Sequence, residues 1–281
     1  MEGADRAAAA TEALGGEGSL QSVLVFDVRG TWGRYRDPAT RLAQATFPFV
    51  TPTALRGMMG AVLGLGEWAD GPDSGGDAAL ADLTGVRLLA PVQTRVARDS
   101  LAGNKFLEAN ARKGFTRQTS VEYLVCPAYR VYYAGRHADE LDGLISEGRA
   151  HFSPALGVSE AEASLSCVGT YESRLSPLGA LAAVPETAES GVGSRAVVPA
   201  SAVGPAGPGA SARTRIRRCD GMPRRHDGGR RFAGQMDFLY TDDGGAITFT
   251  PPAENPAGVI GVRVDEEGIP DPAGSEIACL W

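Results

Sequence analysis

Long apolar runs are missing from this sequence. No stretch of about 18 apolar residues occurs, so no membrane-spanning helix is expected. Cysteine is scarce, with only Cys126, Cys167, Cys219 and Cys279. No two of them have metal-ligand spacing, and four are too few for a disulfide scaffold. Cys126 and Cys167 stand in apolar strand-like runs and read as buried thiols, which fits a reducing cytoplasm. Histidine occurs three times, so no metal site can be assembled from the sequence and no cofactor is expected. The first residues have no basic segment ahead of an apolar core, so no signal peptide is expected. Residues 1–20 read instead as a disordered tail. No G-x-S-x-G and no Walker loop occur, which argues against a serine hydrolase and a P-loop nucleotidase. The aromatic strand signature K/R-G-F/Y-G/A-F of RNA recognition motifs is absent. Positive charge is in deficit too. The net charge of −7 argues against a general nucleic-acid binder.

What is present is enough for a core. Hydrophobic residues make up 43% of the 281 and charged residues 22%, a globular balance. Glycine and proline are abundant, 37 and 18, and imply many loops. Charge is unevenly spread. Residues 213–231 (RTRIRRCDGMPRRHDGGRR) are densely basic. Residues 237–276 carry Asp237, Asp242, Asp243, Glu254, Asp265, Glu266, Glu267, Asp271 and Glu276 against Arg263 alone. Such segregation suits a subunit with one face on nucleic acid and another on protein or solvent.

The most informative stretch is FPFVTPTALRGMMGAVLGL, residues 47–65. Thr51 is a good N-cap, and Pro52 falls at the first helical position. Leu55, Met58, Met59, Val62 and Leu63 then recur at helical spacing. Gly57 and Gly60 interrupt the helix, as expected where a backbone must approach something closely. Arg56 projects from the first turn, beside the positive helix end. Upstream lie Arg29, Trp32, Arg34, Tyr35, Arg36 and Arg41. Strand, basic aromatic loop and glycine-bearing helix in this order suggest a surface for a polyanion. Trp32 and Tyr35 would stack on splayed bases. The same residues also fit a solvated loop over a core helix.

Further along, strands are expected at 22–28, 86–92, 121–134 (broken by Pro127) and 165–172. Helices are expected at 52–64, 138–147 and 154–163, the last with Ser159 as a cap. The outline is β-α-β-β-α-β, the ferredoxin-like pattern. Residues 94–118 form a long polar insertion in which Lys105, Arg112, Lys113 and Arg117 alternate with Phe106 and Phe115. Cation with aromatic is the pairing that holds single strands. Residues 176–231 read as a linker and basic loop. Residues 232–241 and 246–250 read as a hairpin turning at Asp242-Asp243-Gly244-Gly245, and 252–275 as an exposed acidic tail.

Three separated motifs resemble the Cas-five family of CRISPR-associated RAMP proteins: the run from Val25 to Leu65, TSVEYLVCPAYRVYYA, and SPALGVSEAEASLSCVGTYE. The likeness spans roughly residues 22–175, and its wording is similar to type I-B members. The resemblance implies an α+β, ferredoxin-like (RRM-like) RAMP domain over 21–175. It also implies a basic thumb insertion at 95–118 and a small β-rich extension over 232–281. It implies a cytoplasmic, non-catalytic Cascade subunit that caps the 5′ handle of the crRNA. Its partners would be the backbone and large subunits, with target DNA near the protospacer-adjacent motif a further candidate. One branch, in type I-C systems, cuts precursor RNA without a metal, using a general base and a general acid. His137, His151, His226, Tyr35, Lys105 and Lys113 are the candidates here for that alternative, and no two have a spacing that demands proximity.

Overall fold

A computed structural model describes residues 20–40, 43–65, 83–102, 116–178, 192–211, 213–226, 232–252 and 259–281. The first strand, β1 (Leu20–Arg29), is buried on both faces from Val23 to Val28, a run that is apolar apart from Asp27. Helix α1 (Pro52–Leu63) begins where the sequence signals it. The Thr51 hydroxyl accepts from the Ala54 amide at 3.2 Å, and Gly64 closes the helix at φ +71°, the left-handed cap that favours glycine. There follow β2 (Leu83–Leu88), β3 (Thr94–Ala102), β4 (Thr116–Val125), β5 (Ala128–Ala134), α2 (Ala138–Ser146) and β6 (Ser164–Arg174).

Strands β1, β2, β5 and β6 form one antiparallel sheet in the order β2-β5-β1-β6. Its Leu24, Phe26, Val28, Val86, Val131 and Tyr133 pack with Leu55, Met58, Met59 and Leu141 of the two helices. The segment expected as one strand over 121–134 is two strands in different sheets. They part at Cys126, which turns at φ +48° and is exposed, so it is not the buried thiol expected. No helix forms over 154–163. Gly157 has φ +87°, outside the helical region, and the segment turns back through the Leu156 amide to the Ala161 carbonyl at 2.7 Å.

The rest of the described chain is β structure rather than linker and tail. It comprises β7 (Val192–Ser194), β8 (Ile216–His226), β9 (Phe232–Thr241), β10 (Ile247–Phe249), β11 (Ile260–Val264) and β12 (Glu276–Leu280), with shorter two-residue strands between them. The basic run is therefore strand β8, hydrogen-bonded to β9. The hairpin expected between 232–241 and 246–250 does not form. β10 pairs with β7 and with Gly209–Ala210 instead. β11, expected to be exposed, is buried: its Ile260, Val262 and Val264, with Ala278 and Leu280 of β12, cover Val23, Val25, Leu83 and Tyr132 on the second face of the four-stranded sheet. Trp281 is 5% exposed and packs its ring 4.9 Å from Phe238. The whole is a sheet-rich α+β fold.

Candidate nucleic-acid interface

The loop that leaves β1 at Arg29 is pinned by backbone bonds as far as Arg34. The Gly30 amide donates to Pro127, the Cys126 amide to Thr31, and the Arg34 amide to Leu156, at 2.8–3.1 Å. Leu156 is fully buried and wedges beneath the loop. A β-carbon on Gly30 would fall 2.3 Å from its Cδ1, and one on Gly157 would fall 2.0 Å from the Arg34 carbonyl. Close approach therefore explains these two glycines.

On this frame the predicted residues separate. The Arg29 side chain is 58% exposed and lies 3.5 Å from Asp27, whose closer partner is Arg130 at 2.8 Å. Arg36 is exposed. Trp32 is half-buried and meets the Tyr123 ring edge-on, with centroids 5.2 Å apart. Arg34 donates to the Gln44 side chain and holds its guanidinium 5.9 Å from the centre of the Tyr123 ring. Tyr35 is a correction. Only 3% exposed, it belongs to the core and offers no ring face to a base. Burial carries its phenol well above the ordinary tyrosine value. Neither its hydroxyl nor that of neighbouring Tyr129 finds a partner of hydrogen-bonding geometry.

The loop joins a two-stranded ribbon. β3 and β4 pair antiparallel from Thr94↔Leu124 to Ala102↔Thr116, where the sequence suggested a poorly periodic polar insertion. Trp32–Gly33 extends β4 on its other edge, through Trp32↔Val125 and Gly33↔Leu124. Arg117 lies on β4 opposite Leu101. Arg41, Lys105, Arg112 and Lys113 lie outside the described residues. Sequence reasoning passed over Arg95, Arg98 and Tyr123. The first two are exposed and have no ion-pair partner among the described residues. Arg95 and Arg98 are three positions apart, out of step with the two-residue period of a strand, and Tyr123 is hidden inside an apolar run.

The helix residues do not join this surface. Arg56 donates to the Arg224 carbonyl at 2.6 Å. Gly57 is exposed, and a β-carbon there would meet open space, so it is not a point of close approach. Gly60 is buried. Two arginines of the run at 213–226 are paired with carboxylates. Arg217 pairs with Asp242 at 2.7 Å, and Arg218 with Asp220 at 2.5 Å and Asp237 at 2.7 Å. His137 lies 3.3 Å from Glu140, and His151 backs onto Gly64 at the end of α1, so these two histidines are engaged at separate helix termini. Among the described residues no group of three or more His, Cys, Asp or Glu is arranged to hold a metal ion. No described helix is long and apolar enough to cross a membrane.

The strand, the arginine and aromatic loop and the capped helix beyond it all fall inside a match to a known family. The model described as CRISPR-associated protein (Cas_Cas5) matches residues 23–233. The chain belongs to the Cas5 family. No curated protein matches it. Among solved structures, a chain of a CRISPR RNA-guided surveillance complex is 16% identical with a TM-score of 0.46, over 82% of this chain and 91% of that one. A CRISPR protein from Archaeoglobus fulgidus is 12% identical with a TM-score of 0.45, over 92% and 98%. A chain of the Type III-B Cmr-beta complex bound to cognate target RNA is 12% identical with a TM-score of 0.40, over 81% and 86%.

Proposed function

We propose that this Cas5-family chain is a non-catalytic subunit of a type I CRISPR effector complex, of the I-B pattern. It binds and caps the 5′ handle of the crRNA in the cytoplasm and docks the backbone and large subunits. The strand order β2-β5-β1-β6 with α1 and α2 on one face is read as the ferredoxin-like RAMP core, and the β3–β4 ribbon as its thumb.

One observation carries the reading: the arginine and aromatic loop is hydrogen-bonded along the base of the ribbon. Arg29 and Arg36 on the loop and Arg95 and Arg98 on β3 are exposed, the last two on opposite faces of the ribbon, in a chain that is acidic in total. The sheet face that a recognition motif would offer to RNA lies under β11 and β12, which leaves loop and ribbon as the surface for the strand. Target sequence is then read by base pairing rather than by this subunit.

The test is a fluorescence-anisotropy titration of the purified protein with single-stranded handle RNA at several salt concentrations. Replacing Arg29 and Arg36 by Ala should weaken binding. It should also flatten the salt slope by about 1.4, at roughly 0.7 per phosphate contact on a single strand. Unchanged affinity and slope would overturn the assignment. Repeat RNA incubated in EDTA should stay intact, and specific cleavage there would promote the metal-independent endoribonuclease.

A further inference from the structure

Tyr123 is the ring about which the loop and the ribbon are organised. Along β4 side chains alternate between faces, so Tyr123 shares its face with Trp32, paired to Val125, and with Arg95, its direct partner on β3. The phenol donates to the Asp99 carboxylate, which fixes the ring's rotation. Arg34 is fixed in turn by Gln44 and by the ring itself. The result is a half-buried pair of rings with the Arg34 guanidinium over it and Arg95 on the same face of the neighbouring strand. Two acids lie near the phenol, Asp99, which it binds, and Glu160. Arg95 has no ion-pair partner among the described residues and is exposed.

Rings held in place lose little freedom when a base docks, and an adjacent free guanidinium takes the phosphate that accompanies it. That combination selects a single-stranded nucleotide over a duplex, whose bases are stacked on one another. We infer that Tyr123, with Trp32, is a base-contacting position, and that Arg95 takes the phosphate of the same nucleotide. The inference rests on the proposed RNA-binding role. It adds that one unpaired nucleotide of the bound strand lies across the base of the ribbon, so the strand crosses there rather than along β8.

The probe is a single-stranded RNA carrying the 3′ end of the repeat, with 2-aminopurine at one position at a time. Stacking on the ring pair should quench the fluorescence of one position selectively. Tyr123→Leu should abolish that quench and weaken binding by between about five- and 150-fold, the loss that accompanies removal of one stacked base. Tyr123→Phe should keep the quench, because the ring remains. Arg95→Ala, a surface change that leaves the core intact, should weaken binding while the quench survives at saturation. If Tyr123→Leu is poorly folded by circular dichroism, the Phe and Arg95 variants decide. Wild-type affinity and salt slope in Arg95→Ala, or no position-selective quench in the parent protein, overturns the inference. If Arg29→Ala/Arg36→Ala still loses affinity in that case, the RNA-binding role stands without it. If the parent protein binds no handle RNA, the role itself fails.

Discussion

Three glycines, each replaced by alanine, separate framework from surface. Gly157 stands at φ +87°, and an added β-carbon would fall 2.0 Å from the Arg34 carbonyl oxygen and 2.8 Å from Tyr35 Cδ1. The left-handed conformation costs a non-glycine residue about 1–2 kcal/mol. The clash with backbone forces the 156–157 turn off the loop and loosens the bond from the Arg34 amide to Leu156, for about 1 kcal/mol more. With some further repacking the loss is about 2–4 kcal/mol, or roughly 4–16 °C in melting temperature for a chain of this size. Gly57 and Gly143 lie inside helices with nothing within 4 Å of an added β-carbon. Alanine there should add about 0.5–1 kcal/mol of helix propensity, a rise of roughly 1–4 °C. Melting is followed by circular dichroism, and the handle titration is repeated on each variant. Gly157→Ala should lose affinity as the loop shifts, and Gly57→Ala should keep it. A Gly157→Ala protein that melts and binds like the parent would refute the account of how the loop is held. A Gly57→Ala protein that is more stable yet no longer binds would return the helix to the interface.

Other outcomes follow from single buried groups. Glu276 is 8% exposed, pairs with Arg195 at 3.2 Å and leaves Oε2 buried without a partner. Burial raises its pKa against the pull of Arg195 and Arg87. The folded state thus holds this proton more tightly than the unfolded one, so the contribution is complete below about 4.3, the ordinary glutamate value, and is lost as pH rises through the folded value. The melting temperature of Glu276→Gln relative to the parent should therefore climb with pH across that window, and a flat or falling difference would contradict it. Tyr35→Phe removes a buried hydroxyl without a partner and should stabilise by about 1 kcal/mol with RNA affinity unchanged. A loss of stability would mean that the Tyr35 and Tyr129 hydroxyls bond to each other.

The first half of the chain was legible because its signals are local. Thr51-Pro52 with the stripe from Leu55 to Leu63 announces α1, and the apolar run of β1 announces a strand buried on both faces. The second half was not. β7, β11 and β12 are short, and each is stabilised by strands remote in sequence, so the glycines and prolines between them read as a linker. β8 illustrates the same limit at the level of charge. Its arginines signalled a polyanion surface, but Asp237 and Asp242, brought alongside by pairing with β9, neutralise two of them. Within the site, composition singled out Arg29, Trp32, Arg34 and Arg36. Tyr35 failed because nothing in a basic loop marks the one ring that turns inward. Tyr123 and Arg95 were missed because they become neighbours only through the register of β3 on β4.

The loop at 29–36 and the ribbon of β3 and β4 are proposed to hold the 5′ end of the guide. Cryo-EM of the assembled particle tests this placement most directly. The handle should lie against Arg29, Arg36 and the base of the ribbon, with one base against Tyr123. A handle seated on another subunit, with this loop facing solvent, would contradict it.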